Sequence, residues 1–542
     1  MKEEIKFLYM KKDRLNESLY KAHLQAAREW GKNWIIIQNN ITNSLNLKFT
    51  DVYKALDRKL SQLTQNQKET IKVKQEFFQR ITNLTDISFT QEETGLLNKG
   101  LNYNLNHKRK NWIRTLSMEA ECAVNLLPYE EQDYVRHRVA KQIEKMYFLP
   151  NTSNRYTPKE AKENNIVKAI KEKLRNSNAI VTRADKGNSI VITYRDNYEK
   201  KVNDFIHKNG AEESKNSITT KFQKAIRHTL HECKTLINTE DKWKFTCLNP
   251  QTPSLQGLMK VHKDGIPIRP FVNYTQAPAY KLAKKLSSIL KTHIPLPNAF
   301  NIQNSTQLME DISEIQFTPN LQPASLDISD MYSNIPTGEL EDIIHVMCKQ
   351  QNIGDPLTQE ILTITKTVLT QNYYGFKDKT YIQKKGLAMG SPTSSILSEI
   401  YLQFLENTKI LNIVTKPGIE GYFRYVDDIL IVYNKSHVDI TEILDQFNNL
   451  TPHLNFTLEL ERDSKLNFLD ISLTKTSNRI SYKIYRKPTT TDTIIPKDSC
   501  HPREHKMAAI RYFVNRAHTY DLDAENKKIE LNTIKQIVHN NG

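Results

Sequence analysis

The chain has 542 residues, of which 77 are Lys or Arg and 61 are Asp or Glu, so its formal net charge is +16. Its apolar content of 38% is sufficient for folded cores and excludes a chain that is disordered throughout. The length indicates about three or four domains or subdomains. The basic charge indicates a polyanionic partner, although charge alone does not separate nucleic acid from an anionic membrane.

The charge is distributed unevenly along the chain. Residues 1–300 carry 52 basic and 31 acidic side chains, a net of +21. Residues 301–430 carry 9 and 16, a net of −7, and residues 431–542 carry 16 and 14, a net of +2. An acidic segment of this kind is consistent with divalent cations held beside a polyanion, or with an ordinary acidic surface.

Several classes of protein are excluded. The longest strongly apolar runs, such as Trp34-Ile-Ile-Ile37, are far shorter than the roughly 20 residues of a membrane span. The N-terminus carries charges where a signal peptide needs an apolar stretch. The five cysteines are scattered and form no Cys-x-x-Cys pair, so neither a disulfide framework nor a zinc knuckle is indicated.

The first half of the chain predicts mostly helices and two hairpins. Residues 1–150 have a polar, helical pattern, and a further helix is predicted at about residues 161–175. A strand, a turn and a strand follow over residues 180–192, with Lys186-Gly-Asn188 at the turn. A second hairpin is predicted over residues 257–270.

An acidic residue ends a short strand predicted in the middle of the chain. Ser325-Leu-Asp-Ile328 begins this strand, which leads to an amphipathic helix with Thr337 as its predicted cap. Asp327 would then lie at the end of the strand, where a neighbouring strand can present Asp427 beside it.

A helix start rich in small residues follows. The segment Lys385-Gly-Leu-Ala-Met-Gly-Ser-Pro-Thr-Ser-Ser395 opens an amphipathic helix, and Pro392 is suited to its first turn. Glycine is scarce, at 15 of 542 residues, and Gly386 and Gly390 are predicted to let a backbone approach a nucleotide closely. A Gly-Ser-Pro helix start is weak evidence by itself.

Two adjacent aspartates lie between two β-prone apolar runs in Tyr422-Phe-Arg-Tyr-Val-Asp-Asp-Ile-Leu-Ile-Val-Tyr433. This pattern predicts a hairpin with Asp427 and Asp428 at its tight turn, where two like charges are costly unless a cation is bound. Nucleotidyl transfer uses two divalent ions, one at a 3′-hydroxyl and one at the triphosphate, held by carboxylates from separate elements. The ordered series Asp327, Gly-Ser-Pro and Asp427-Asp428 therefore predicts such a site.

These three blocks, in this order and spacing, resemble motifs A, B and C of the reverse transcriptase palm. The sequence Tyr425-Val-Asp-Asp428 resembles motif C of reverse transcriptases. RNA-copying RNA polymerases more often carry Gly before the acid pair. The flanking blocks resemble Penelope-like retroelements, a family related to telomerase. These blocks are Leu96–Tyr103, Ala184–Gly187, Met259–Lys263, Ile268–Phe271, Tyr485–Asp492, Ser499–Pro502 and His505–Ala509.

Two departures from the family pattern matter. Met389 stands where many retroviral enzymes have Gln, although Met is usual in the Penelope-like group. Most animal members also end in a GIY-YIG endonuclease, and the sequence contains no such pair of motifs. We expect a shortened chain rather than an element without the nuclease, and DNA nicking is not predicted for this chain.

The resemblance implies roles for individual residues. Asp327, Asp427 and Asp428 are expected to be catalytic and to hold two Mg²⁺ ions, with Mn²⁺ as a substitute and the Ile328 carbonyl as a further ligand. Tyr332 is expected to be the steric gate that excludes a 2′-hydroxyl. The other expected nucleotide contacts are Lys260, Arg269, Asp330, Met331, Met389 and Gly390. The expected template and primer contacts are Arg183, Lys186, Ser391, Pro392, Tyr425, Phe468, Leu469, Arg486, Lys487, His505 and Lys506.

Alternatives stay open for several of these residues. Lys260 and Arg269 suit a triphosphate, since Arg forks onto phosphate oxygens and Lys adds a point charge, but they also suit a solvated hairpin. Lys186 and Arg183, on the earlier hairpin, suit contact with template or nucleotide, or are ordinary hairpin residues. Asp330 is also suited to cap a helix.

The expected fold is an α+β right hand. It comprises a helical N-terminal extension at residues 1–150 that is expected to bind nucleic acid, fingers at 151–310, a palm at 311–474 with motifs A, B and C and a primer-grip region, and a helical thumb at 475–542. The expected activity is that of an RNA-directed DNA polymerase that uses dNTPs and copies the element's own RNA from a DNA primer at its target. The resemblance places this reaction in the nucleus, after cytoplasmic synthesis and RNA binding, and no membrane partner is expected.

Two alternatives to this function differ in class. One is an RNA-dependent RNA polymerase, which would prefer rNTPs. The other is a domesticated palm that binds RNA without polymerising, although a binding protein has no need to keep mutually repelling carboxylates.

Overall fold

The computed structural model describes residue 77 and residues 79–105, 112–125, 127–148, 158–214, 218–388, 390–476 and 479–542. The chain divides after Lys74, and all described residues belong to the second unit, Gln75–Gly542. Much of the predicted N-terminal extension therefore lies outside the described residues, as does Met389.

A short strand and four helices precede the first hairpin. The first helix begins with a capping box in which the Thr90 hydroxyl accepts from the Glu93 amide and the Glu93 carboxylate accepts from the Thr90 amide. The fourth helix confirms the one predicted at about residues 161–175. These elements are β1 (Ile81–Asn83), α1 (Gln91–Leu97), α2 (Trp112–Val124), α3 (Tyr129–Phe148) and α4 (Pro158–Asn176).

The two hairpins predicted in the fingers region are both present. The elements of this region are β2 (Ala179–Arg183), β3 (Ile190–Tyr194), α5 (Arg195–Lys208), β4 (Glu212–Ser214), α6 (Thr219–Glu232), α7 (Lys242–Phe245), β5 (Ser254–Met259), β6 (Ile268–Asn273) and α8 (Tyr280–His293). Strands β2 and β3 are antiparallel, and β1 joins β3 in parallel. Strands β5 and β6 form the second antiparallel hairpin.

The central part of the chain builds an antiparallel sheet, the palm sheet. Its elements are α9 (Ser305–Ser313), β7 (Leu321–Ile328), α10 (Met331–Asn334), α11 (Thr337–Gln350), α12 (Asp355–Leu369), β8 (Tyr373–Phe376), β9 (Lys379–Ile382), α13 (Ser394–Leu405), α14 (Leu411–Val414), β10 (Ile419–Tyr425), β11 (Asp428–Asn434), α15 (Ile440–Asn448) and β12 (Phe456–Leu460). The palm sheet has the strand order β10-β11-β7-β12. A second sheet has the order β4-β9-β8-β5-β6, so the fingers hairpin and the segment before motif B share one sheet.

Strand β11 is buried on both faces, which explains its unbroken apolar run. Ile429 and Ile431 face the main core, which the helices of the fingers and palm complete. Leu430 and Val432 face a second core that α9 and the strands after β12 complete. Packing on both sides thus fixes the register of the strand that begins at Asp428.

The last part of the chain adds a three-stranded antiparallel sheet and two helices. The carboxylate of Asp470 joins them to the palm, since it accepts from the Ser305 hydroxyl, from Arg516 at 3.1 Å and from the Tyr520 hydroxyl at 2.8 Å. The elements are β13 (Lys465–Phe468), β14 (Ile471–Lys475), β15 (Ile480–Ile484), α16 (Arg503–Thr519) and α17 (Ala524–Asn540).

The segment between β15 and α16, residues 485–502, contacts parts of the chain that are distant in sequence. Arg80 forms an ion pair with Asp492 at 2.7 Å, and Lys99 forms one with Asp498 at 2.8 Å. The Thr491 hydroxyl donates to the Gly187 carbonyl at the tip of the first hairpin. The C-terminal segment is therefore held by both the N-terminal elements and the fingers.

Two predictions about helix starts are wrong. Helix α11 has Pro336 at its N-cap position and no side-chain cap, because Thr337 is already its first helical residue. Helix α13 begins at Ser394, so Pro392 lies in the preceding turn rather than in the first helical turn.

Among the described residues, no helix has the length and apolar character needed to cross a membrane.

Candidate active site

The palm sheet brings two of the predicted catalytic carboxylates directly opposite each other. Asp428, the first residue of β11, is the register partner of Asp327 on β7. Asp427 lies in the two-residue turn between β10 and β11, and its carbonyl accepts from the Ile328 amide at 3.2 Å. Asp327 precedes Asp427 by 100 residues in sequence, but all three acidic residues share one end of the sheet.

The turn that carries Asp427 is strained. Val426 has a φ of +57°, in the left-handed region that a β-branched residue rarely adopts. Such conformations persist only where the surrounding structure holds them, and they concentrate at functional sites.

Burial and mutual repulsion disfavour the charged forms of the carboxylates. Both effects raise the pKa of Asp428 to about 6, with Asp427 and Asp327 as its negative neighbours. Burial and the charge of Asp327 also raise the pKa of Asp427. Lys487, Lys186 and Arg269 oppose these shifts without cancelling them, so the site retains a demand for positive charge.

Whether this site suits a divalent cation can be judged from its donor atoms. Among the described residues, no three acidic, His or Cys side chains already lie together as a ligand set. The adjacent carboxylates are nevertheless hard oxygen donors of the kind that Mg²⁺ prefers, and a cation would offset the burial and mutual repulsion that raise the pKa values of Asp427 and Asp428. The residues therefore fit such an ion.

The second fingers hairpin carries the two cations predicted for the triphosphate. Arg269 lies on β6 and forms an ion pair with Asp185 at 2.8 Å, while Lys260 follows β5 directly. The side chain of Asp185 is 2% exposed, and its Oδ2 has no hydrogen-bond partner among the described residues. Asp185 thus orients a guanidinium that is itself 55% exposed.

The tip of the first hairpin approaches the same site. Burial and the charge of Lys487 lower the pKa of Lys186, which shows that the two ammonium groups are near each other. Arg183 instead donates to Asn102 at 2.8 Å. Gly187, at φ +78°, packs against the backbone of Thr489, and a Cβ atom has no room there.

Motif B contacts the predicted gate residue. The Leu387 amide donates to the Tyr332 carbonyl at 2.7 Å, and burial raises the pKa of the Tyr332 hydroxyl, which is hydrogen-bonded to Ser398. Tyr332 follows Asp330 and the buried Met331, and Asp330 adopts a φ of +48° at the start of α10 without a side-chain cap.

The two motif B glycines lie against protein backbone. A Cβ atom on Gly386 would lie 2.3 Å from the Ser333 carbonyl oxygen, and one on Gly390 would lie 2.2 Å from that of Val272. Both glycines therefore allow close approach of protein backbone, at motif A and at β6. Ser391 follows them in the turn that leads to α13.

A polar cavity of 370 Å³ lies beside the carboxylates, between the palm sheet and the strands that follow it. Phe468 and Leu469 line it on one side, although Phe468 is mostly buried in the second core. Lys487 lines the cavity together with Asp327 and Asp428. Tyr425, directly before the catalytic turn, is 38% exposed.

Three predicted template and primer contacts lie further along the chain. Arg486 is directed away from the cavity, because its guanidinium makes a bidentate pair with Glu530 at 2.5 Å and both side chains are buried. Lys506 donates to the Lys497 carbonyl at 2.8 Å. His505 is exposed at the start of α16. The structure thus does not bring Arg486 to the catalytic end of the palm sheet.

A buried ion-pair network beneath the catalytic turn is not predictable from the sequence motifs. Arg424 is 1% exposed and binds Glu406 at 2.6 Å and Glu399 at 2.6 Å, both from the helical segment that motif B opens. Its Nη1 also donates to the Val426 carbonyl at 3.2 Å. Arg424 therefore connects the motif B helix to the strained turn, three residues before Asp427.

Comparison with known protein families and structures bears on this site. Residues 261–490 match the family model described as reverse transcriptase (RNA-dependent DNA polymerase). Residues 493–542, which contain α16 and α17, match the model described as animal helix-turn-helix domain. The helix-turn-helix match is not among the sequence predictions. No curated protein matches the chain.

Solved structures with a similar arrangement include two telomerases and one viral polymerase. Telomerase from Candida albicans, in complex with a TWJ fragment of telomeric RNA, is 11% identical, with 72% of this chain and 69% of that chain covered and a TM-score of 0.45. Apo telomerase from Candida tropicalis is 10% identical, with 83% and 76% covered and a TM-score of 0.42. The Sicinivirus 3Dpol RNA-dependent RNA polymerase is 13% identical, with 59% and 67% covered and a TM-score of 0.37.

The family match agrees with the geometry of the site. The matched residues include motifs A, B and C, the palm sheet that pairs Asp327 with Asp428, and Arg269 of the fingers hairpin. The α+β class and the antiparallel palm predicted for a right-hand polymerase are confirmed. Residues 261–490 form a reverse transcriptase domain, and the chain is an RNA-directed DNA polymerase.

Proposed function

We propose that the chain is the reverse transcriptase of a Penelope-like retrotransposon, which copies its element's RNA from a DNA primer at the target site. The observation that carries the catalytic part of this proposal is the register pairing of Asp327 with Asp428, beside Asp427. The resemblance of the blocks around the palm motifs supports the Penelope-like subtype. The same resemblance supports action in the nucleus.

Within this proposal, Asp327, Asp427 and Asp428 hold two Mg²⁺ ions, with the Ile328 carbonyl as a further ligand. When bound, these ions supply charge stabilisation at the primer hydroxyl and at the triphosphate. Lys260 and Arg269 bind the phosphates, and Asp185 keeps the guanidinium of Arg269 in place.

The nucleotide sugar lies against motif A in the proposed complex. Tyr332, packed on the motif B backbone, is the residue that meets a 2′-hydroxyl and so favours dNTPs. The primer terminus occupies the 370 Å³ cavity, where Leu469 and Lys487 border the carboxylates. Lys186 and Lys487 bind phosphates of template and primer in this proposal, since Lys487 lines the cavity beside Asp327 and Asp428 and Lys186 lies near Lys487.

Primer extension tests the proposed activity. Purified protein with Mg²⁺, primed RNA and dNTPs is expected to extend the primer, and Asp427→Asn is expected to abolish extension. Asp378→Asn, an exposed aspartate in the turn between β8 and β9, is the matched control and should extend normally. No extension by the wild-type protein, or normal extension by Asp427→Asn, would disprove the assignment.

The same assay separates reverse transcription from the two alternative functions. Competition between dNTPs and rNTPs on one template identifies an RNA-dependent RNA polymerase by a strong preference for rNTPs. Salt-sensitive RNA binding without any incorporation would instead indicate a palm that only binds RNA.

A further inference from the structure

The outer surface of the fingers carries a cluster of lysines and aromatic rings, which we call the lysine–aromatic face. It is formed by α7 and by the exposed side of α8, which pack against each other. Its members are Lys242, Trp243, Lys244, Phe245, Tyr280, Lys281, Lys284 and Lys285. None of these residues belongs to the active site described above.

The charge of this face is mainly positive. Helices α7 and α8 together contain six lysines and no acidic residue. On α8, Lys281, Lys284 and Lys285 recur at i, i+3 and i+4, so they form one stripe, while Leu282 and Leu286 face the core. An amphipathic surface helix needs a polar face, but it does not need a face of uniform positive charge.

Few of these lysines are neutralised within the protein. Lys244 forms an ion pair with Asp241 at 2.7 Å. Lys281 donates to the Thr246 carbonyl at 3.1 Å, which is a neutral group. No carboxylate of a described residue lies within ion-pair distance of Lys242, Lys284 or Lys285. The face is therefore complementary to a polyanion.

Aromatic rings lie among the ammonium groups. Lys284 lies 5.3 Å from the ring centre of Tyr280, Lys285 lies 5.8 Å from that of Phe245, and Lys244 lies 6.0 Å from that of Trp243. Trp243 is 65% exposed, so its indole does not serve the core. Phe245 and Tyr280 are partly buried against the main core, so Trp243 is the ring available to a ligand. An exposed ring beside lysines is a pattern by which proteins bind single-stranded nucleic acid, where an unpaired base stacks on the ring.

We propose that the lysine–aromatic face binds single-stranded RNA outside the catalytic cleft. The lysine stripe contacts the phosphates, and Trp243 stacks on an unpaired base. A duplex does not satisfy this site, because its bases are already stacked and paired. The choice of RNA as the strand rests on the proposed function, since that function supplies a long unpaired template.

Binding measured without catalysis tests this site. Fluorescence anisotropy with a labelled 20-nucleotide single-stranded RNA and with a blunt RNA–DNA duplex is recorded in EDTA for the full chain. Trp243→Ala is expected to weaken single-strand binding by about 5- to 100-fold, which is the range for loss of one stacked base. Trp243→Phe should restore much of that loss, and duplex binding should not change.

The lysine stripe has its own readout. Lys281→Gln with Lys284→Gln is expected to reduce the slope of log affinity against log salt by about 1.4 for the single strand, or about 0.7 per lost phosphate contact. The charge-matched control is Lys349→Gln with Lys366→Gln, on palm helices α11 and α12, and its slope should remain that of the wild type.

The outcomes distinguish this site from the proposed polymerase activity. Unchanged single-strand binding by Trp243→Ala, or an equal loss for strand and duplex, would overturn the inference. Binding of anionic lipid vesicles that Trp243→Ala weakens as much as RNA binding would also overturn it. Primer extension on a primed template with a 5′ overhang of only a few nucleotides is measured in parallel, and the variants of the lysine–aromatic face are expected to retain it. A wild-type protein that binds the strand but extends nothing would count against the polymerase proposal alone.

Discussion

Arg424 offers a sharp test of how the catalytic turn is held. Its guanidinium is 1% exposed and is shared by Glu406, Glu399 and the Val426 carbonyl. Replacement by Met removes the cation and leaves the Glu406 carboxylate, at 2% exposure, in a buried site. Removing one partner of a buried pair costs about 3–5 kcal/mol, because the remaining charge is uncompensated.

The same substitution releases the turn as well as the charges. Although burial raises it, the pKa of Glu399 is held below its usual value by hydrogen bonds from Arg424. The Val426 carbonyl loses its side-chain donor, and the left-handed turn loses one of its constraints. A displacement of about 1 Å at a catalytic group can reduce the rate by about 100-fold, so we expect a loss of kcat of this order for Arg424→Met.

Two measurements separate stability from positioning. Urea unfolding gives the free energy, and single-turnover primer extension gives the rate for the folded fraction. Adding Glu399→Gln and Glu406→Gln to Arg424→Met removes the unpaired charges and should recover most of the stability without recovering the rate. Arg424→Lys should recover part of both. The network does not position the turn if Arg424→Met has the wild-type free energy of unfolding and the wild-type extension rate. The same conclusion follows if the variant with all three substitutions recovers full activity.

Three further predictions follow from the pKa values and contacts of the site. In metal-free protein the folded state keeps a proton on Asp428 up to about pH 6, so stability falls as the pH rises from about 4 to 6. At pH 7.5 the free energy of unfolding of Asp428→Asn should therefore exceed that of the wild type by about 1 kcal/mol, after allowance for solvent screening. At pH 4 the variant should be no more stable than the wild type. Equal stability of the two proteins at pH 7.5 would contradict this prediction. Tyr332→Ala should reduce the preference for dNTPs over rNTPs by about 10- to 100-fold in kcat/KM, and an unchanged ratio would rule it out as the gate. Asp185→Asn should raise the KM for dNTPs by about 3- to 10-fold with little change in kcat, because Arg269 loses its partner; steady-state kinetics showing an unchanged KM would contradict that role.

Local patterns account for what could be predicted from the sequence. The hairpins at residues 180–192 and 257–270, and the one that carries Asp427, follow from β-prone runs and turn residues close together in the chain. The acidic motifs predicted Asp427 beside Asp327 on a neighbouring strand; the structure pairs β7 with β11, but the residue opposite Asp327 is Asp428.

Contacts between distant segments could not be predicted in the same way. Glu399 and Glu406 reach Arg424 from 25 and 18 residues away, and only the packing of a helix on a strand brings them together. Gly386 signalled a close approach, but its sequence context did not show that the approaching group is the Ser333 carbonyl. The role of Asp185 could not be predicted from the sequence, because its partner, Arg269, lies on a separate hairpin.

The contacts of residues 485–502 show that the borders of the family match are not borders of the folded unit. A fragment cut to residues 261–490 would lose Asp185, which holds Arg269, and Gly187, which packs on Thr489. It would also lose Arg80, the partner of Asp492. A fragment that keeps these contacts therefore begins near residue 80 and runs past Asp492, so segments outside the matched residues support the proposed phosphate-binding side chains.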